Sequence, residues 1–180
     1  MIKMDFTEKT ISTERIFEGR IINLKVDTVT LPNGNTSTRE LVEHPGGVGI
    51  IAVDDNKNVL MVTQFRKPFE EIVLEIPAGK LNYGEDALEC GKRELEEETG
   101  YTAKKYVPLG IYYPTPGYCL EKIHIYLATD LVKTHQHLDE DEFLDVHTMP
   151  LDELVKMVMD NKINDAKTAI AILKAKNILG

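Results

Sequence analysis

Apolar and polar residues alternate through the first part of the chain. Ile22, Leu24 and Val26 interleave with Asn23, Lys25 and Asp27, the period-two pattern of a half-buried strand. Residues 36–43 read as its return strand. Pro32-Asn33-Gly34-Asn35 between them reads as a turn, because proline presets φ and Asn-Gly tolerates positive φ. Residues 11–17 suit an earlier short strand, ended at Gly19. His44-Pro45-Gly46-Gly47 breaks the pattern. Residues 48–53 (VGIIAV) are apolar throughout, a buried strand, and the polar loop 54–58 turns it into a partner at 59–64. Residues 73–76 make a further short strand stopped by Pro77.

The period then changes to three and four. Leu88, Gly91 and Leu95, joined by Ala87, form an apolar stripe along a helix over residues 85–99, with the carboxylates expected away from it. Glu85 and Asp86 suit the positive end of the helix dipole, and Gly100 stops the helix as a C-terminal cap. Gly91 costs about 1 kcal/mol relative to alanine in mid-helix, which close packing against a strand would explain. Strands return at 109–112 and 123–128, around the loop Pro114-Thr115-Pro116-Gly117, and again at 143–148. Two amphipathic helices close the chain, one marked by Leu151, Leu154, Val155 and Val158, with Pro150 in its first turn. The other is marked by Ala166, Ala169, Ile170 and Leu173. Strands, one helix, strands and then helices imply an α/β sandwich of mixed sheets.

Length and charge narrow this picture. The 180 residues suit one domain with an appendage: an N-terminal β appendage over 1–45 and a main domain over 46–180. The net charge of −9, with no block of Lys and Arg, argues against a nucleic-acid surface. It also means that an anionic substrate needs cations to offset the protein's own charge. Cys90 and Cys119 are isolated, as in a reduced cytoplasmic chain. No apolar run approaches the ~18 residues that span a bilayer, and residues 1–10 lack a signal-peptide apolar region, so the expectation is a cytoplasmic protein without a membrane segment.

The candidate chemistry lies in residues 79–101, GKLNYGEDALECGKRELEEETGY. Glu94, Glu97 and Glu98 fall at i, i+3 and i+4, one helix face. Like charges at that spacing repel by roughly 0.2–0.5 kcal/mol per pair. Alone they fit a solvated acidic face; beside a glycine loop they fit a site for a hard divalent cation. Gly46-Gly47-Val48-Gly49 is no phosphate loop, since a strand follows it where a helix is required. His135 and His137 have no third ligand at a fixed spacing and read as an exposed loop.

Gly79, Glu85, Arg93-Glu94-Leu95, Glu97-Glu98, Gly100 and Tyr101 together resemble the Nudix box, G-x5-E-x7-R-E-U-x-E-E-x-G-U, at every specified position with Tyr101 in the last apolar place. The resemblance implies a Nudix-type α/β/α sandwich and hydrolysis of a nucleoside diphosphate linked to another group. The chemistry suits the residues, because divalent ions screen the anionic diphosphate, polarise a P–O bond and acidify water. Within that family the chain is similar to the ADP-ribose pyrophosphatases. Pro116 lies 16 residues past Gly100, where that group carries a marker proline, in the context Tyr113-Pro114-Thr115-Pro116-Gly117 followed by Glu121. Gln64-Phe65-Arg66-Lys67-Pro68 and Glu75-Ile76-Pro77-Ala78-Gly79-Lys80 are similar as well.

That likeness implies Mg2+-dependent conversion of ADP-ribose to AMP and ribose 5-phosphate, with Mn2+ as an alternative ion; the alternatives are a Nudix hydrolase of another nucleoside diphosphate sugar and a non-catalytic module that binds ADP-ribose-like ligands, which the intact carboxylate set disfavours. It implies a homodimer that exchanges its N-terminal strands. Glu94 and Glu98 match the main metal ligands, the carbonyl of Ala78 a further one, and Glu97 shares their face. Arg93, beside Glu85 and Glu97, orients carboxylates by charge-assisted hydrogen bonds, and Gly79 and Gly100 shape the box. The general base falls in the acidic segment 138–143. Aligned on the following strand, Glu140 is the base and Glu142 another metal ligand; a register two residues on makes Glu142 the base. Arg66 and Arg39 are candidates for the diphosphate or terminal ribose, Glu40 and Glu121 for ribose hydroxyls, and Arg20 and Ile21 for the adenine. Lys80 and Pro116 complete the substrate-side set.

Overall fold

The computed structural model describes residues 5–138 and 142–180. Its contacts divide the chain into two compact units, Met1–Gly46 with Tyr113–Glu121, and Gly47–Tyr112 with Lys122–Gly180.

The first unit is a three-stranded antiparallel sheet of β1 (Lys9–Glu18), β2 (Asn23–Thr30) and β3 (Thr36–Glu43), in that order. The turn between β2 and β3 closes through Gly34, at φ +85°, whose N–H donates to the Leu31 carbonyl at 2.9 Å. Asp27, buried on β2, accepts the Thr13 hydroxyl at 2.7 Å and the Thr10 hydroxyl at 3.3 Å, which ties β1 to it. Every residue of β1 is exposed. The return segment 113–121 attaches to β3: Val42 N–H donates to the Tyr118 carbonyl and Leu120 N–H to the Val42 carbonyl, at 2.8 and 2.9 Å.

The second unit is an α/β/α sandwich on one mixed sheet. The strands are β4 (Gly47–Val53), β5 (Asn58–Arg66), β6 (Glu71–Glu75), β7 (Ala78–Lys80), β8 (Tyr101–Tyr112), β9 (Ile123–Lys133) and β10 (Leu144–Pro150). The path runs β10-β5-β4-β9-β8, with β6 on β5 and β7 on β4. Only the β4–β9 pair among these is parallel. β4 is buried along its whole length, as a strand covered on both faces is. Val48, Ile50 and Ala52 point to one side and pack with Leu81, Cys90 and Leu95, beneath α1 (Ala87–Thr99). Ile51 and Val53 point to the other, under α2 (Leu151–Met159) and α3 (Ala166–Leu179).

Three sequence expectations change. The buried face of α3 is Thr168, Ala171, Ile172 and Ala175, while Leu173 is exposed, because the helix packs on small residues close to the sheet. β8 begins at Tyr101, eight residues before the expected strand, since Gly100 turns the chain straight from helix to sheet. In α1 the carboxylates do not lie away from the stripe: Glu94 and Glu98 are 9% and 3% exposed, in line with Cys90, Gly91 and Leu95.

Gly91 shows why α1 sits so close. A β-carbon there would lie 2.6 Å from Ile50 Cδ1 and 2.9 Å from Val48 Cγ2, and both neighbours are fully buried. Overpacking of such a core costs about 1–3 kcal/mol. Gly91→Val should therefore lower the urea midpoint of unfolding, with a loss of about 2 kcal/mol; an unchanged midpoint would contradict this close approach.

Candidate active site

The site is built where α1 meets β7. Asp86 caps the helix, its Oδ1 accepting the Leu88 and Glu89 N–H groups at 3.0 Å. Glu85 closes the preceding turn by accepting the Asn82 N–H at 2.8 Å, and that bond holds its carboxyl below the usual range. From α1, Glu94 reaches the backbone of Gly79, where a β-carbon would fall 2.0 Å from the Glu94 Cδ. The absent side chain of Gly79 is thus the space that the Glu94 carboxylate occupies. One turn on, Glu98 Oε2 accepts the Ala78 N–H at 3.1 Å.

Arg93 stands at the hub of the remaining carboxylates. Its Nη1 donates to Glu97 Oε2 and its Nη2 to Glu94 Oε1, both at 2.7 Å, with Glu85 Oε1 3.7 Å away. Partial burial disfavours the guanidinium charge, but Glu94 and Glu97 outweigh it and raise its pKa. The electrostatics of the buried pair run the other way. Burial raises Glu94, with Arg93 opposing. Burial pushes Glu98 up to about 8, the Ala78 N–H opposing and Glu94 and Glu142 adding to the rise. The Glu142 carboxylate is therefore within electrostatic reach of both. Cys90, in the same turn, is pushed up to about 11 by burial and by Glu94.

The C-terminal end of α1 is closed by the chain after β9. Thr134 N–H donates to the Gly100 carbonyl at 2.7 Å, Gln136 Nε2 to the Glu98 carbonyl at 2.7 Å, and His137 N–H to the Glu97 carbonyl at 3.0 Å. Gly100 has φ +70°, and a β-carbon on it would lie 2.9 Å from Gln136 N. The last turn carries no basic residue. Neutral donors satisfy the orphan carbonyls there, so that turn adds no cation to the one that Arg93 supplies. His135 and His137 thus sit, both exposed, in a segment bound through two backbone N–H groups and the Gln136 side chain.

Among the described residues, no group of three or more His, Cys, Asp or Glu side chains is gathered so as to hold a metal ion. The cause is local: Glu94 and Glu97 are drawn to Arg93 and Glu98 to a backbone N–H. The donor chemistry nonetheless fits a hard divalent cation. Two buried carboxylates with raised affinity for protons face a glycine loop, and a hard cation is the natural replacement for those protons. A backbone carbonyl such as that of Ala78 would complete the set without a third side chain.

The other expected site residues divide between the units. Arg66 and Lys80 belong with α1 in the second. Arg66 is a surprise, because Glu75 takes its Nε at 2.5 Å and its Nη2 at 2.7 Å, which leaves its side chain 38% exposed. Lys80, at the end of β7, is exposed. Arg20, Ile21, Arg39, Glu40, Pro116 and Glu121 belong to the first unit. There Arg39 forms a bidentate pair with Glu8, at 2.9 and 2.5 Å, and Glu121 lies 3.5 Å from His44 Nδ1, the nitrogen that accepts the Gly46 N–H. Arg20, Ile21, Glu40 and Pro116 are exposed. Glu140 lies outside the described residues.

Glu75, Lys167 and Gln136 were not foreseen. Glu75 had no clear signal: its neighbours Leu74 and Ile76 carry the apolar phase and pack in the core, so alternation alone places Glu75 on the other side. Lys167 and Gln136 had none either, since their partners are distant in sequence.

Comparison with known proteins gives the family. The NUDIX domain profile matches residues 43–171, and that of the nucleoside diphosphate sugar hydrolase N-terminal domain matches residues 8–42. The chain belongs to the Nudix family. It is 49% identical to an ADP-ribose pyrophosphatase of Bacillus subtilis (strain 168), over 92% of this chain and 90% of that protein. It is 48% identical to a methanol dehydrogenase activator of Bacillus methanolicus, over 93% and 91% of the two chains. The crystal structure of an ADP compounds hydrolase superposes with a TM-score of 0.84 at 23% identity, covering 96% of this chain and 94% of the other; that likeness speaks for the fold.

Glu75 gives a test by pH. Burial raises it, but Arg66 and Lys167 outweigh burial and hold it below its ordinary 4.5. A lowered carboxyl stabilises the fold above its unfolded value, and the contribution is lost as pH falls through the folded value. On acidification below about pH 4.5, the gap in Tm between the native chain and Glu75→Gln should narrow. A gap that is constant with pH would show that the Glu75 charge does not contribute.

Proposed function

We propose that this chain is an ADP-ribose pyrophosphatase, which uses water and a divalent cation, Mg2+ with Mn2+ as an alternative, to convert ADP-ribose to AMP and ribose 5-phosphate. The observation that carries the reading is the pair of buried carboxylates, Glu94 and Glu98, turned onto the backbone of Ala78 and Gly79. The substrate is taken from the relative that shares 49% of its residues.

In this reading Glu94, Glu98, Glu142 and the Ala78 carbonyl hold the cation, and Glu97 supports them from the same face. A divalent cation bound there supplies charge compensation for the diphosphate and Lewis acidity at phosphorus. The chain's own groups do the rest. Arg93 fixes the angles of Glu94 and Glu97. Arg66 presents its remaining N–H groups to the diphosphate. Glu140 takes the proton of the attacking water, and the influence of Glu142 on Glu94 and Glu98 favours Glu142 as the ligand in this register. Arg20 and Ile21 meet the adenine, Arg39, Glu40 and Glu121 the ribose side, and Lys80 and Pro116 border the substrate.

The first unit, taken as the appendage over residues 1–45, serves substrate contact and dimerisation by strand exchange. Its support is the apolar surface that β1 and its flanks leave open, with Phe6, Ile11, Ile16, Phe17 and Ile21 all more than half exposed. Such a patch calls for a partner; a monomer in sedimentation equilibrium would remove this part of the proposal. Free thiols at Cys90 and Cys119 suit a reducing cytoplasm. No helix among the described residues is long and apolar enough to cross a membrane.

A second reading, hydrolysis of another nucleoside diphosphate sugar, is favoured by the profile matched at residues 8–42. Incubation of the protein with ADP-ribose, ADP-glucose and NADH plus Mg2+ in 18O-water, with AMP release followed, separates the two. ADP-ribose should turn over fastest. Glu98→Gln should keep its fold and lose kcat by at least about a hundredfold; near-normal turnover would take Glu98 out of the site. Glu140→Gln should lower kcat more than it weakens binding, whereas a larger kcat loss in Glu142→Gln with cation affinity intact would shift the base by two residues.

A further inference from the structure

Four charged side chains on three elements of the second unit form one continuous network. Glu75, at the end of β6, is 2% exposed, and both of its oxygens are occupied. Oε1 accepts Arg66 Nε, and Oε2 accepts Arg66 Nη2 and Lys167 Nζ. Lys167, 10% exposed, also donates to Asp165 Oδ2 at 3.0 Å. Asp165 is the N-cap of α3, accepting the Thr168 N–H at 3.0 Å and the Thr168 hydroxyl at 2.5 Å. The Thr168 oxygen in turn accepts the N–H of Ile76 at 2.9 Å. The first turn of α3 therefore grips both Glu75 and the residue after it, two positions before Ala78.

This network is arranged around Arg66. An arginine side chain carries substantial rotamer entropy, which a ligand must otherwise overcome on binding. Glu75 removes that freedom by a bidentate grip. Glu75 alone would also cancel the guanidinium charge. Lys167 prevents this, because it shares the Glu75 carboxylate and leaves Arg66 only partly neutralised. The positive charge of Arg66 also acts on Glu98, whose carboxyl it lowers against the effect of burial. A small open cavity of about 230 Å3 lies beside it, lined in part by Arg66, Glu75, Asp165 and Lys167.

We infer that Glu75 and Lys167, anchored by the first turn of α3, are positioning residues that hold Arg66 in place and keep it positive for the substrate's diphosphate. The inference rests on the reading above in which Arg66 meets that diphosphate. It assigns α3, on the opposite face of the sheet from α1, a part in substrate binding.

Steady-state kinetics with ADP-ribose and Mg2+ on Arg66→Ala, Lys167→Met and the double variant test it. Arg66→Ala should raise KM about tenfold or more. Lys167→Met should raise KM about three- to tenfold, with kcat within about twofold and the circular dichroism spectrum unchanged. In the Arg66→Ala background, Lys167→Met should add nothing, since its effect passes through Arg66. Lys167→Arg should restore most of the loss. If Lys167→Met does not fold, Lys167→Gln replaces it in the same cycle. An unchanged KM in a folded Lys167 variant, or an equal rise with and without Arg66, overturns the inference and leaves the role of Arg66 standing. An unchanged KM in Arg66→Ala overturns both.

Discussion

The burial of like charge on α1 is the constraint from which the rest of the second unit follows. Glu94 and Glu98 sit one turn apart, both nearly out of water, where ionised carboxylates are costly unless paired and hydrogen-bonded. The fold answers with several small devices. Gly79 has no side chain, so the Glu94 carboxylate can take its place. The Ala78 N–H solvates Glu98, and Arg93 holds Glu94 against Glu97. Gly91 lets the helix settle on Val48 and Ile50, which brings the carboxylates down to the loop. The compensation is incomplete, and the raised affinity of Glu98 for a proton measures the shortfall.

Seen from this constraint, the ends of α1 and the far face of the sheet have related tasks. The C-terminal carbonyls of the helix are satisfied by Thr134, Gln136 and His137, all neutral donors. A lysine in that turn would pair with the carboxylates and compete with a divalent ion. Arg93 holds Glu94 and Glu97 within the site, and a second guanidinium, that of Arg66, is gripped by Glu75, which Lys167 shares. Close to the site the single guanidinium of Arg93 is thus outnumbered by the carboxylates around it, and Glu98 has a backbone N–H in place of a cation.

How far the sequence foretold this varied with the range of the interactions. Strand and turn positions in the first unit followed from alternation and Asn33-Gly34, and β3 fell on the expected residues, because hairpins are local. The sandwich and the box were legible because period, glycine spacing and charge are written in adjacent residues. The burial of Glu94 and Glu98 was not legible, since it depends on the approach of β7, whose three residues carry no strand pattern. The early start of β8 was hidden by polar Thr102, Lys104 and Lys105. Arg66 read as a candidate for the substrate because its partner Glu75 lies on the neighbouring strand and Lys167, which shares that carboxylate, lies a hundred residues away in sequence. His135 and His137 read as an exposed loop and are exposed, but the grip of that loop on the end of α1, through the N–H groups of Thr134 and His137 and the Gln136 side chain, left no signature in the sequence.

If buried carboxylates on α1 await a divalent cation, removing their charge and supplying the ion must stabilise the protein by the same route. The direct measurement is the Tm of the metal-free chain and of the Glu94→Gln/Glu98→Gln variant, each with and without Mg2+, at a pH above about 8. The native chain should melt below the variant without Mg2+ and should rise by several degrees when Mg2+ is added, while the variant should not respond. A native chain that melts no lower than the variant and is indifferent to Mg2+ would contradict the account.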